Sequence, residues 1–537
     1  GPRRRSPDRR TGPRRRVGSV AVMSLTEADL TAADAAWDLE TLLGDGTVDA
    51  LLDRAEQLTA AIAAYRGRLA ELHADEWVSV MTTTAELHDA LSRAGNYASL
   101  QVATDTADPA KGALMAKVQE RGTALSTQLI FFDLEWAALD DAAAEAVLAD
   151  ERLAFCAHHL RSARRYRPHL LSEPEERIDT EKSQTSSSAW SRLFGELISA
   201  IEVRLPGQDQ PTRLEQGLAL LSHPDRDVRR DAARGVTEGL APGLRTRAFI
   251  FNTLLLDKSV EDRLRSYPSW ISSRNLANEA SDESVDALVA AVVRRYDIPQ
   301  RWYATKASIL GVDRLADYDR SASVASSEQP FGWGAAKELV LDSYGSFSPR
   351  LADAARRFFD EAWIDAPVRP AKRPGAFCAY TVPSHHPYLL LNWTGKRRDV
   401  LTLAHELGHG LHAYLAREQG IFHMSTPLTL AETASVFGET VTFGKLLADV
   451  TDPVERLPLL AEHLEDQIAT VFRQVAMNRF EDAVHTERRE VGELSVERFG
   501  ELWGASQQAM LGDAVEVTEG YRTWWSYIPH FIHTPGY

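Results

Sequence analysis

The sequence predicts a mainly α protein, a large multi-helical body with one small β-sheet. Three observations carry this reading. Apolar residues recur at helical spacing along nearly the whole chain. Strand-like runs are rare, the best being Tyr388–Asn392. A chain of 537 residues exceeds one ordinary core, so two or three domains, or one helical domain with a substantial insertion, are expected.

Taken in order, residues 1–22 carry eight Arg and one Asp. Their local charge of +7, against −17 for the chain, leaves the remainder near −24. Such an acidic body disfavours nucleic acid as a partner. A block of like charge reads as a disordered tail. The stretch Val17–Leu25 is interrupted by Gly18 and Ser19 and has no convincing cleavage site, so it is not a signal peptide. The chain opens on Gly, and Met23 stands as a natural start. Residues 1–22 are therefore set aside as a basic tail that could be non-native.

Leu51, Ala55, Leu58, Ile62, Tyr65, Leu69 and Leu72 step by four and three. That spacing predicts one helix of about six turns packed in a bundle. Similar patterns run through Thr83–Leu100, Ala110–Asp133 and Thr212–Val260. The polar stretch Ser172–Ser188 and the loop Leu205–Pro211 read as boundaries, dividing an N-terminal helical domain, 23–200, from a second domain, 201–537. The stretch Ala366–Pro387 is loop-rich. Tyr388–Asn392 then follows Pro387 and leaves at Trp393-Thr394-Gly395, so a small sheet is expected beside the next helix. No run of about 18 apolar residues occurs, and no membrane span or membrane partner is expected. Cys156 and Cys378 are the two cysteines. Such low usage fits a reducing cytoplasm, and a disulfide is not the default.

The chemistry centres on His405-Glu406-Leu407-Gly408-His409, an H-E-x-x-H pattern on a helix with Asp399 as its N-cap. Positions i and i+4 project from one face, so two imidazoles can reach a single metal ion. Glu406, rotated beside them, can take a proton from a water at that ion. Gly408 and Gly410 each weaken a helix interior by about 1 kcal/mol relative to Ala, which close packing around a site would offset. A catalytic zinc takes three protein ligands and keeps one position open. Downstream, Thr426 as N-cap and Pro427 at the first position start another helix. It carries Glu432 and Glu439, seven apart on one face among apolar or small residues. Carboxylates there are costly unless they bind something. Glu432 fits as the third ligand and Glu439 as partner to a ligand histidine.

Residues 399–440 resemble the thimet-type zinc metallopeptidases of family M3, and most closely the oligoendopeptidase F branch. The resemblance rests on His405–His412, Ala431–Glu439 and Pro387–Trp393, and upstream on Arg167–Arg177 and Ser187–Phe194, so it covers about residues 24–537. It implies one Zn2+ per chain on His405, His409 and Glu432, with Glu406 as general base. It also implies a helical body with a deep channel that admits short oligopeptides and excludes folded proteins. His530 matches the family histidine that contacts substrate, and Tyr537 the first tyrosine of a Tyr-x-Tyr pair. The family pattern continues further, so a fragment with weakened catalysis is expected. The peptide is expected to lie along Tyr388, Leu389, Leu390, Leu391 and Asn392, adding a strand to that edge. His412 is read as a packing residue, and His385 and His386 as peptide contacts or plain loop. Cytoplasmic endopeptidase activity is the expected function. A catalytically weak peptide-binding protein and an exopeptidase are the rival readings.

Overall fold

The computed structural model describes residues 26–183, 185–324, 330–533 and 536. Helices dominate, and the described strands are short: β1 (Glu202–Val203), β2 (Thr212–Arg213), β3 (Leu315–Ala316), β4 (Ile364–Pro367), β5 (Phe377–Ala379), β6 (Tyr388–Trp393) and β7 (Val515–Glu516). Among the described residues no helix is long and apolar enough to cross a membrane.

The stripe that begins at Leu51 is real, but the helix is not continuous. Helix Val48–Ala63 starts where the Thr47 hydroxyl accepts the Ala50 N–H at 3.1 Å. It ends at Ala63, because Gly67 takes φ +77° and a single 3-10 turn, Leu69–Glu71, follows. Glu135 receives the N–H groups freed at the break, from Gly67 at 2.6 Å and Leu69 at 3.2 Å. The apolar residues still reach a common core, where Leu58, Ile62 and Leu69 meet Trp77, Phe131 and Trp136. The bundle reading therefore stands, and the single long helix is corrected. Helices Ala74–Thr104 and Pro109–Ala138 complete the expected pattern. Thr212–Val260 is divided instead into β2 and three helices, separated at Pro224 and at Pro242-Gly243.

The polar stretch Ser172–Ser188 is largely helical. It forms helix Glu173–Ser183 and the start of Ser187–Ser199. The Ser172 hydroxyl and N–H both engage Glu175, and Arg265 clamps Glu176 and Asp179. Capping and ion pairs thus stabilise a helix that has almost no apolar face. Leu205–Pro211 is the turn between antiparallel β1 and β2, as expected.

The largest sheet has the order β4-β6-β5. β6 pairs parallel with β4, Ile364 opposite Leu389, and antiparallel with β5, Cys378 opposite Leu389. Both faces of β6 are covered. Leu389, Leu391 and Trp393 pack under Leu403, Leu407 and Leu411 of the following helix. Tyr388 faces Leu39, Leu42 and Leu100. A strand covered on both sides reads as an unbroken apolar run, which explains three successive leucines.

A buried ion pair holds the β4–β5 connection. Lys372 Nζ lies 2.5 Å from Asp365 Oδ1 and donates to the Pro367 carbonyl at 2.8 Å, with both side chains almost fully buried. The same connection is tied to the end of Ala74–Thr104, by Thr106 N–H to Ala371 O at 2.8 Å and Arg373 N–H to Ala103 O at 2.9 Å. Asp365→Ala strands the Lys372 ammonium in the interior. A loss of about 3–5 kcal/mol is expected in urea unfolding, against a smaller loss for the hydrogen-bonding Asp365→Asn.

Candidate active site

Helix Arg397–Ala416 carries the H-E-x-x-H residues. Its N-cap is Lys396, three residues earlier than the Asp399 expectation. Asp399 caps from inside the first turn, where its Oδ2 accepts the N–H of Thr394 at 2.7 Å and of Lys396 at 3.1 Å. Val400, Leu403, Leu407 and Leu411 bind one face to the sheet, which turns His405 and His409 to the other. The partner helix is Leu428–Asp449, with Pro427 rather than Thr426 at its N-cap.

Two glycines bring these helices together. A Cβ on Gly408 would strike the Ala434 carbonyl and lie 2.6 Å from Ser435 Cα. One on Gly438 would meet the Tyr344 hydroxyl and lie 2.6 Å from the Ala404 carbonyl. Tyr344 itself donates to Ala404 O at 2.9 Å, bracing the crossing from a third helix, Trp333–Phe347. Gly410 has a different reason, since its Cβ would lie 2.6 Å from the Phe358 ring.

At this crossing, ligand atoms of His405, His409 and Glu432 all fall within 4.8 Å of one another. His405 Nε2 lies 3.3 Å from Glu432 Oε2, and His409 Nε2 lies 3.6 Å from Oε1. On its far side, His405 Nδ1 lies 3.3 Å from Glu439 Oε2. Glu406 is 7% exposed. Ser435, which the sequence reading missed, donates to Glu432 Oε2 at 2.8 Å. Its position three residues after Glu432 was the available signal.

The electrostatics follow from this placement. Hydrogen bonding with His405 is the main cause that holds the Glu432 carboxyl down to about 2, with Ser435 assisting against burial. Burial opposes protonation of His405, but Glu432 and Glu439 raise it to about 10. Burial lowers His409. Burial also pushes Glu406 up to about 7, with Glu432 adding to the rise and His405 opposing it. The cluster thus favours positive charge between its two carboxylates, and two imidazoles with one carboxylate suit a zinc-type ion. The donor set fits the metal the sequence implies.

Other candidates fall elsewhere. Tyr388–Leu391 are buried and Asn392 donates to the carbonyls of Arg373 and Gly375. β6 is the central strand with both edges paired, so the expected peptide contact along Tyr388, Leu389, Leu390, Leu391 and Asn392 is corrected. Among the described residues, the sheet edge beside the His405 helix that lacks a strand partner belongs to β5. His386 stacks on Trp363 with centroids 4.1 Å apart, a packing role. His412 is not among the converging ligands, and its ring meets Tyr380 edge-on. Cys156 and Cys378 are free thiols. Burial and then Glu406 hold the Cys378 thiol well up, which favours its protonated form. His530 is exposed at the start of helix His530–His533 and is not one of the converging residues. Tyr537 lies outside the described residues.

Similarity to known proteins extends over most of the chain. Residues 219–537 match the model of peptidase family M3, and residues 135–202 that of oligopeptidase F. The chain is 24% identical to oligopeptidase PepF of Bacillus subtilis over 94% of this chain and 74% of that protein. It is 25% identical to group B oligopeptidase PepB of Streptococcus agalactiae, over 93% and 84% of the two. The crystal structure of oligoendopeptidase-F from Enterococcus faecium superposes with a TM-score of 0.68 at 22% identity, covering 90% of this chain and 83% of that one.

The glycine contacts make a sharp expectation. Gly408→Ala and Gly438→Ala should each lower stability by about 1–3 kcal/mol and weaken metal retention together with it. Gly444→Ala, on the same helix with nothing within 4 Å of its Cβ, should be neutral or stabilising. Thermal melts and metal content of the three variants decide this, and an unaffected Gly408→Ala would show that the helices have slack at the crossing.

Proposed function

The chain belongs to peptidase family M3, and on that premise we propose that it is a zinc-dependent endopeptidase cutting internal bonds of short, flexible oligopeptides. One zinc per chain is assigned to His405, His409 and Glu432. The observation that carries the reading is the convergence of these three ligand atoms beside Glu406, which is buried on the helix that bears His405 and His409. The oligopeptidase names of the relatives support the substrate class.

A zinc ion held there supplies a Lewis acid that lowers the pKa of a water and polarises the attacked carbonyl. Glu406, poised near neutrality by burial, accepts the water's proton and delivers it to the leaving amine. Glu439 fixes the His405 ring through Nδ1, which leaves Nε2 turned to the metal position. Glu432 keeps its negative charge chiefly through hydrogen bonding with His405, with Ser435 assisting. The peptide is assigned to the edge of β5, which lies beside the His405 helix. His530 and Tyr537 are assigned to polarising the carbonyl. In this reading residues 23–200 form the N-terminal domain and 201–537 the catalytic domain. This reading includes a deep channel in the helical body that admits extended peptides, and an enzyme that acts in the cytoplasm without nucleic-acid or membrane partners.

His405→Ala should lose most of the zinc; full occupancy in that variant would refute the ligand assignment. Glu406→Gln should keep zinc while turnover of a quenched peptide falls by about two orders of magnitude or more.

Because Glu406 must be ionised to act, kcat/KM should fall as pH drops through its pKa. That pKa is about 7 from the protein environment, and a neighbouring dication lowers it. The acid limb of the pH profile should therefore lie below 7 and disappear in Glu406→Gln. A limb of the same position in the variant would assign it to another group.

A peptide blocked at both ends should be cut internally, whereas a stably folded protein should survive the same exposure. Cleavage restricted to free termini would favour an exopeptidase.

A further inference from the structure

The catalytic reading leaves a cavity of about 680 Å³ without a task. It lies where helix Ala157–Arg164, the turn 278–280 and the stretch 422–430 meet, the last leading into the first turn of the Glu432 helix. That first turn forms one wall. Thr429 lines the cavity and precedes Glu432 by three residues. The two therefore share a helix face, with Cβ atoms about 5–6 Å apart. Leu430, 56% exposed, adds apolar surface to the same wall. Thr429 also donates to the Asn278 carbonyl at 3.4 Å, which joins this wall to the turn 278–280.

Another wall is made of rings. Phe422 stacks on His159 with centroids 4.8 Å apart, and His158 meets His423 edge-on at 6.0 Å. His423 Nε2 accepts the His159 N–H at 3.3 Å, which ties the two pairs together. Burial, assisted by neighbouring imidazoles, pushes His159 down to about 4 and lowers His423 as well. These two rings are therefore uncharged at neutral pH. The Glu279 carboxylate at the cavity is already engaged. His158 Nε2 lies 3.0 Å from its Oε1, Ser162 Oγ donates to the same oxygen at 3.1 Å, and Arg165 stands 3.5 Å away. With that charge answered, ring faces and Leu430 are left to select the occupant.

We propose that this cavity is a specificity pocket for an aromatic side chain of the substrate peptide. This rests on the peptidase reading above. An extended peptide advances about 3.3 Å per residue, so the separation of Thr429 from Glu432 places the pocket one or two residues from the attacked carbonyl. A substrate ring there extends the Phe422–His159 stack, offset or edge-on, in the geometries that aromatic pairs favour.

The test gives the full zinc-loaded chain a set of blocked, quenched peptides that carry Phe, Lys or Ala at each position within two residues of the cut. At one position Phe should raise kcat/KM over Ala by about tenfold or more, and Lys should not. Leu430→Ala trims an exposed wall and should shrink that ratio. Ala280→Trp fills the cavity from the turn 278–280 and should abolish it. Zinc content and melting temperature should stay those of the wild type. No position that favours Phe, an equal gain with Lys, or a ratio that survives Ala280→Trp would overturn the proposal. An undiminished ratio in Leu430→Ala overturns it by itself, whether or not Ala280→Trp folds. A wild-type chain that binds no zinc or leaves every peptide uncut would instead sink the peptidase reading. Binding of the same labelled peptides, followed by fluorescence anisotropy, judges the cavity in that case, and equal affinity for the Phe and Ala peptides counts against it.

Discussion

The close approach of the His405 and Glu432 helices is the constraint on which the site depends. Neither helix carries all three of the converging residues. His405 and His409 project from one, Glu432 and Glu439 from the other, and the two sets meet only if the backbones nearly touch. Side chains at Gly408 and Gly438 would prevent that contact. The cost of glycine within a helix, about 1 kcal/mol each, is offset by packing that no larger residue permits. Tyr344 adds a directional tie at the same place, where its hydroxyl donates to the Ala404 carbonyl.

Burial then differentiates the carboxylates. Glu432 is open enough to stay charged and is hydrogen-bonded by Ser435. Glu406 points into the protein and is driven toward neutrality. Two glutamates on crossing helices thereby differ by several pKa units, one suited to holding a cation and the other to exchanging protons near neutral pH. The separation arises from surroundings, burial for Glu406 and hydrogen bonds with His405 and Ser435 for Glu432, rather than from any difference in side-chain chemistry.

The sheet supports this arrangement from beneath. β6 presents Leu389, Leu391 and Trp393 to the His405 helix, and its other face is closed by Leu39, Leu42 and Leu100 from the N-terminal part. The β4–β5 connection is also tied to the end of Ala74–Thr104. The N-terminal helices therefore brace the floor of the site as well as standing beside it. With β6 enclosed, β5 is left as the strand with an open edge on this side.

Much of this was legible in the sequence because it depends on local spacing. Helical periodicity identified the α class, the i,i+4 histidines shared a face by helix geometry alone, and Glu432 and Glu439 stood out as charges on an apolar helix. The apolar run of β6 announced a strand, but not its neighbours. Strand order is a long-range property, so only the folded chain decided that β6 is central and that Tyr388–Asn392 has no free edge. The break at Gly67 escaped periodicity because apolar spacing persists through it, and the stabilising partner, Glu135, is remote in sequence. The helix in Glu173–Ser183 escaped because its support comes from Arg265. Sequence by itself determined which residues could bear the chemistry. Tertiary structure decided which carboxylate is buried and how closely the helices cross, because burial and distance are set by contacts between segments that the chain brings together only on folding.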